Sequence, residues 1–137
     1  MSSDTLLVKD VMTRDVKVVG PDFSVRAVVA AMNEFDVGSM IVVQEDKPVG
    51  VISERDVLRR VVEPCLPPET TTARQIMTSP VITICESASM DEVVKLMAEK
   101  RVRKIPVMKE ERLVGIITYT DIVSKVLGMI SIIGELM

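Results

Sequence analysis

The constraint that most limits the fold is an internal repeat. Met12 and Thr13 recur as Met77 and Thr78, and the same offset of 65 carries Val16 to Val81, Ser24 to Ser89, Met32 to Met97, Val42 to Val107, Gly50 to Gly115 and Asp56 to Asp121 without a gap. Self-similarity at one fixed spacing means two copies of a supersecondary unit, each with an apolar face that is incomplete until something covers it. The expectation is that the two copies share one core.

Within each copy the hydrophobic period changes in the same order. Val16 to Val19 and Val81 to Ile84 read as short strands. Val25, Val28, Val29 and Met32, and again Met90, Val93, Val94 and Met97, follow the i, i+3, i+4, i+7 spacing of an amphipathic helix. Ser24 and Ser89 stand where such helices need a capping hydroxyl, and Glu92 is placed to complete a reciprocal capping box with Ser89. The β-branched runs 40–43 and 49–52, separated by the polar 44–47, read as a hairpin, which residues 105–117 repeat. A second amphipathic helix closes each copy, marked by Val57, Leu58, Val61 and Val62 and by Ile122, Val123, Val126 and Leu127. The unit is therefore β-α-β-β-α, an α/β (α+β) fold. Its copies span residues 8–62 and 73–130, with a proline-rich connector at 63–72 and an apolar tail at 131–137. The tail is expected to extend the last helix, packing on the core or on a partner subunit.

Composition narrows the function. The 137 residues carry 17 basic and 20 acidic side chains, a formal charge of −3, so no general attraction to nucleic acid or an anionic membrane is expected. Histidine is absent and Cys65 and Cys85 form no Cys-x-x-Cys pair, so no metal site is expected. The N-terminus lacks the basic flank and apolar stretch of a signal peptide, and no apolar run reaches bilayer length, which predicts a cytoplasmic protein. The ten methionines fall mostly at helical core spacing and are expected to fill gaps.

The most informative motif follows the third strand of each copy: Gly50, Ser53 and Asp56 in the first, Gly115, Thr118 and Asp121 in the second. One reading is a helix cap, with the hydroxyl at the N-cap and the carboxylate three residues on. The other is a ligand site, in which the hydroxyl and free backbone N–H groups take phosphate and the carboxylate accepts from two ribose hydroxyls. The two are compatible, and the glycine at the same place in both copies favours the second by letting backbone approach a ligand. The basic run 100–104 is either a solvated helix end or part of such an anion site.

These features carry a resemblance. Val11-Met12-Thr13 and Ile76-Met77-Thr78, the two Gly-apolar-apolar-Ser/Thr-x-x-Asp segments, and Arg103-Lys104-Ile105-Pro106-Val107 resemble the cystathionine β-synthase (CBS) domain pair over residues 8 to about 127. The first copy departs from the second-strand pattern, with Gly38 and Ser39 where the second has Arg103 and Lys104. The resemblance implies two repeats related by a pseudo-two-fold axis, with clefts that bind AMP, ADP, ATP or another adenosyl compound. One cleft would combine Thr118, Thr120 and Asp121 with Thr13, Val18, Val37 and Gly38, with Lys104 near phosphate. The other would combine Ser53, Arg55 and Asp56 with Thr78, Thr83, Val102 and Arg103, with Ser39 as a phosphate contact. The arginines give the second the stronger expected anion chemistry.

The resulting expectation is a stand-alone regulatory module, similar to the CBS pair of inosine monophosphate dehydrogenases. It would sense adenine nucleotide, and hence energy state, as a homodimer and signal to a separate effector protein, without catalysis and without a catalytic cofactor. Neither a Gly-rich phosphate loop ending in Lys-Ser/Thr nor a nucleophile-base pair stands in the sequence. The alternative is a structural or docking protein with empty clefts.

Overall fold

A computed structural model describes residues 6–136, apart from the side chains of residues 133 and 136. The first five residues and Met137, the last of the expected tail, lie outside the described residues.

Helix α1 (Val8–Val11) and strand β1 (Val18–Val19) lead into α2 (Val25–Phe35) and the hairpin β2 (Ser39–Gln44) and β3 (Lys47–Ser53). A turn of helix, α3 (Glu54–Val57), then widens into a π-helical turn, Leu58–Val62. The second repeat runs α4 (Ala73–Ile76), β4 (Ile84–Cys85), α5 (Met90–Lys100), β5 (Lys104–Lys109), β6 (Arg112–Thr118) and α6 (Tyr119–Leu136). Each repeat makes a three-stranded sheet, ordered β1-β2-β3 and β4-β5-β6, with the first pair parallel and the second antiparallel.

Local chemistry accounts for the shared element order. The Ser24 hydroxyl accepts from the Ala27 N–H and the Ser89 hydroxyl from the Glu92 N–H, both at 3.1 Å, each satisfying an orphan donor of a helix start. Asp36 and Arg101, both left-handed with φ of 54° and 55°, end α2 and α5 at equivalent points. Glu45 and Asp46 make the first hairpin turn with φ of 53° and 65°, the conformation a two-residue hairpin loop requires.

The chain separates into two compact units whose boundaries cross the repeats. One holds Lys17–Val81; the other joins the leader ending at Val16 to the residues from Ile82 onward. The leader of each repeat therefore builds the unit that contains the other repeat's sheet. In the first unit Ala73 and Ile76 of α4 sit in a cluster with Val19, Val25, Val28, Met40, Val42 and Ile52. In the second, Val8 and Met12 sit with Val93, Met97, Ile105, Val107 and Ile117. Among the described residues each unit thus has a buried cluster of its own, completed by the other repeat's leader.

Backbone pairing fixes the exchange. Thr13 and Ile116 exchange N–H···O bonds of 2.8 and 2.9 Å, and Val51 and Thr78 do the same at 3.0 and 2.9 Å, so each Met-Thr leader lies along the last strand of its unit. Val16 and Val81 are consequently the last residues before the chain passes to the other unit, which is why the first strands are two residues long and not four. The connector is ordered too: Thr71 is buried and its carbonyl accepts from the Val25 N–H at 2.8 Å.

The glycines have a different reason from the one expected. A Cβ on Gly50 would overlap Met77, and one on Gly115 would come within 2.6 Å of Met12 Sδ and 3.0 Å of the Thr13 carbonyl. The room beside each glycine is thus occupied by the methionine of the docked leader. Gly50→Ala is expected to cost about 1–3 kcal/mol by overpacking. In urea unfolding, Met77→Ala in the same chain should recover part of that loss; simple additivity of the two substitutions would show that they do not share this space.

The closing helices bury less than their pattern suggests. Val61 is buried, but Leu58 and Val62 are 61% and 59% exposed, and on α6 Val126, Leu127, Met129, Ile130 and Ile132 are all exposed. The expected apolar tail is the end of α6, which continues without a break at 131. No described helix is long and apolar enough to cross a membrane.

Candidate ligand site

Thr118 ends β6 and Asp121 lies in the first turn of α6, so strand and helix together fix the pair. The Asp121 N–H donates to Thr118 Oγ1 and Asp121 Oδ2 accepts from the Thr118 N–H, both at 3.1 Å. Ser53 and Asp56 make the same reciprocal cap: the Asp56 N–H donates to Ser53 Oγ at 3.2 Å, and Asp56 Oδ2 accepts from the Ser53 N–H at 2.9 Å. The capping reading is therefore realised in both copies.

The leader adds a third residue to each pair. The Thr13 hydroxyl lies 3.4 Å from both carboxylate oxygens of Asp121, and the Thr78 hydroxyl donates to Asp56 Oδ1 at 3.2 Å. Both threonines were expected in the same clefts as these carboxylates; the leader exchange puts their hydroxyls against the carboxylates themselves, across 108 and 22 residues of sequence.

The second strands supply a cross-strand neighbour for each hydroxyl. Lys104 is the register partner of Thr118, and Ser39 that of Ser53. Directly opposed residues on antiparallel strands share a face, with Cβ atoms about 4.5–5.5 Å apart. Burial alone pushes the half-buried Lys104 ammonium below its usual 10.5. Its folded state therefore binds fewer protons than the unfolded chain at pH values between the lowered value and 10.5. Stability should rise with pH through that window, the penalty being full below it. Lys104→Met should flatten this part of the melting temperature against pH profile; an unchanged profile would show that burial at this position carries no such penalty.

The other expected residues divide between the units. Val18, Val37 and Gly38 belong to the unit of Ser53 and Asp56. Val18 is 41% exposed on β1, Val37 packs against that unit's core, and the Gly38 carbonyl accepts from the Glu54 N–H at 3.0 Å. Thr83, Val102 and Arg103 belong to the unit of Thr118 and Asp121. Thr83 is exposed just before β4, Val102 packs against that core, and the Arg103 guanidinium lies 5.6 Å from the centre of the Tyr119 ring. Arg55 and Thr120 are exposed in the first turns of α3 and α6.

Arg60 was missed by sequence reasoning. Its Nη1 donates to the carbonyls of Ile76 at 2.8 Å and Met77 at 3.1 Å, and its Nε lies 3.9 Å from Asp56 Oδ1. It ties the leader helix α4 to the cap. The signal for it was the cation shared with Lys125 at the repeat offset. Each pair has a cation close by: Lys104 is the register partner of Thr118, and Arg60 lies beside Asp56.

Comparison with known proteins bears on what this arrangement belongs to. The chain is 38% identical over 117 residues to an uncharacterized protein of Methanopyrus kandleri, MK0525, covering 84% of this chain and 60% of that one. It is 33% identical over 125 residues to an inosine-5'-monophosphate dehydrogenase of Methanocaldococcus jannaschii, covering 90% of this chain and 23% of that protein. The chain thus spans less than two thirds of both relatives. The crystal structure of hypoxic response protein I, described with two coordinated zinc ions, superposes with a TM-score of 0.80 at 31% identity, covering 87% of this chain and 98% of that one. A sequence model of the CBS domain matches residues 8–63 and 73–130, two copies that take up most of the chain. With the two β-α-β-β-α repeats and their paired caps, this places the protein in the CBS domain family, as a pair of CBS repeats.

Proposed function

We propose that this CBS pair is a non-catalytic regulatory module that binds an adenine nucleotide or related adenosyl compound and signals its level to a separate effector protein. CBS pairs are generally regulatory ligand-binding modules, and the adenosyl ligand is the step taken here. The observation that carries it is the grouping of Thr118, Asp121, Thr13 and Lys104 in one unit. A cation beside a capping hydroxyl suits phosphate, and a carboxylate close by suits the two hydroxyls of a ribose. The similarity to part of an enzyme named for a nucleotide substrate adds support.

The exposed apolar face of α6 supports a homodimer formed through this helix, in which ligand binding would bias the arrangement presented to the effector. The same face favours the alternative, a docking protein that binds no nucleotide. Thermal unfolding separates them. A ligand at 100 times its Kd stabilises by about 2.7 kcal/mol. Upward shifts confined to AMP, ADP, ATP or S-adenosylmethionine support the sensor, and the absence of any shift with these or with guanine nucleotides supports the docking protein.

A further inference from the structure

The two repeat-related carboxylates do not hold the same hydrogen-bond load. A carboxylate has about four acceptor positions. Asp56, whose side chain is 14% exposed, accepts from the Ser53 N–H at 2.9 Å, the Ser53 hydroxyl at 3.1 Å and the Thr78 hydroxyl at 3.2 Å, and faces the Arg60 guanidinium at 3.9 Å. On Asp121 the structure places two donors: the Thr118 N–H at 3.1 Å and the Thr13 hydroxyl at 3.4 Å, its proton divided between both oxygens.

The vicinal diol of a ribose brings two O–H donors. Asp121 has two acceptor positions to offer them. Asp56 has about one, and Arg60 stands beside it. The position equivalent to Arg60 is Lys125, so the second repeat lacks the planar guanidinium that ties leader carbonyls to the cap in the first.

We propose that the repeats have divided the work of their shared motif: the Asp121 site takes the diol of a single ligand per chain, while Ser53, Thr78 and Arg60 hold Asp56 as a structural clasp. Arg60 is a positioning residue here, acting through Asp56 and the α4 carbonyls. The proposal rests on the nucleotide reading above and adds to it which motif is used and how many ligands bind.

Calorimetric titration with AMP, GMP and their 2'-deoxy counterparts, together with amide chemical shifts, tests it. The expected result is one AMP per chain. Affinity should fall at least tenfold for the 2'-deoxy nucleotide and at least tenfold in Asp121→Asn, which retains an acceptor for the Thr118 N–H. Amide shifts should centre on Thr13, Thr118 and Asp121. If Asp121→Asn does not fold, stoichiometry, the deoxy comparison and the shifts of the wild-type chain still decide. Two equivalent sites, indifference to the 2'-hydroxyl, or shifts centred on Ser53, Asp56 and Thr78 would overturn the proposal. Equal binding of GMP through Asp121 would leave it standing and remove the adenosyl reading. Failure of every ribonucleotide to bind would overturn both.

Discussion

A chain that begins at Lys17 is expected to lose the fold of its second repeat while keeping that of its first. The deletion removes Val8 and Met12, 0% and 8% exposed, from the cluster that contains Val93, Ile105, Val107 and Ile117. Burying such side chains stabilises by about 1.5–3 kcal/mol each, so the two account for roughly 3–6 kcal/mol, comparable with the whole stability of a small domain. The Thr13–Ile116 bridge is lost with them. The first repeat's sheet keeps the leader docked on it, because α4 lies within the remaining chain. Hydrogen exchange should show β5 and β6 deprotected and β2 and β3 still protected. Uniform loss in both repeats, or in neither, would refute the exchange of leaders.

Asp56→Ala should destabilise the protein more than Asp121→Ala. The first substitution strands the Ser53 N–H and the Ser53 and Thr78 hydroxyls and removes the carboxylate facing Arg60; the second strands the Thr118 N–H and a long contact from Thr13. Hydrogen bonds to charged groups are worth about 1.5–3 kcal/mol, and part of that is recovered where water reaches the groups left behind. A loss of about 2–4 kcal/mol is expected for Asp56→Ala and about 1 kcal/mol for Asp121→Ala. Urea unfolding of the two variants checks the order, and equal losses would contradict the unequal load on the two carboxylates.

The exposed stripe on α6 leads to a smaller effect. Ile130→Glu places a charge among Val126, Leu127 and Met129, which are apolar and exposed. If α6 forms the dimer interface, light scattering should show a lower dimer fraction for this variant without a change in melting temperature of the monomer. An unchanged dimer fraction would place the interface elsewhere.

The sequence made the element order legible because the repeat gave each pattern twice. The helix Val25–Phe35, its Ser24 cap and both hairpins follow from periodicity and local chemistry. What periodicity could not convey was the short leader helices α1 and α4 and which sheet each joins, since four residues carry too little pattern and the pairing shows only in the backbone bonds of Thr13 and Thr78. That one non-local fact explains the short first strands, the two cores, and the glycines at 50 and 115. It also reverses the physical meaning of those glycines, which make room for methionine side chains.

The motif residues were legible in kind and the difference between their copies was not. Ser53 and Thr118 both read as hydroxyls before a carboxylate. Only geometry shows the Ser53 hydroxyl donating to Asp56, and Arg60 reaching back to Ile76 and Met77. The long arginine side chain acts across 16 and 17 residues of sequence, beyond the reach of any local pattern.

The most direct measurement is a crystal structure of the protein grown with AMP. The account predicts one nucleotide per chain, its ribose hydroxyls within hydrogen-bond distance of the Asp121 carboxylate and its phosphate near Thr118 and Lys104. A nucleotide bound away from these residues, or crystals grown at saturating AMP that contain none, would contradict it.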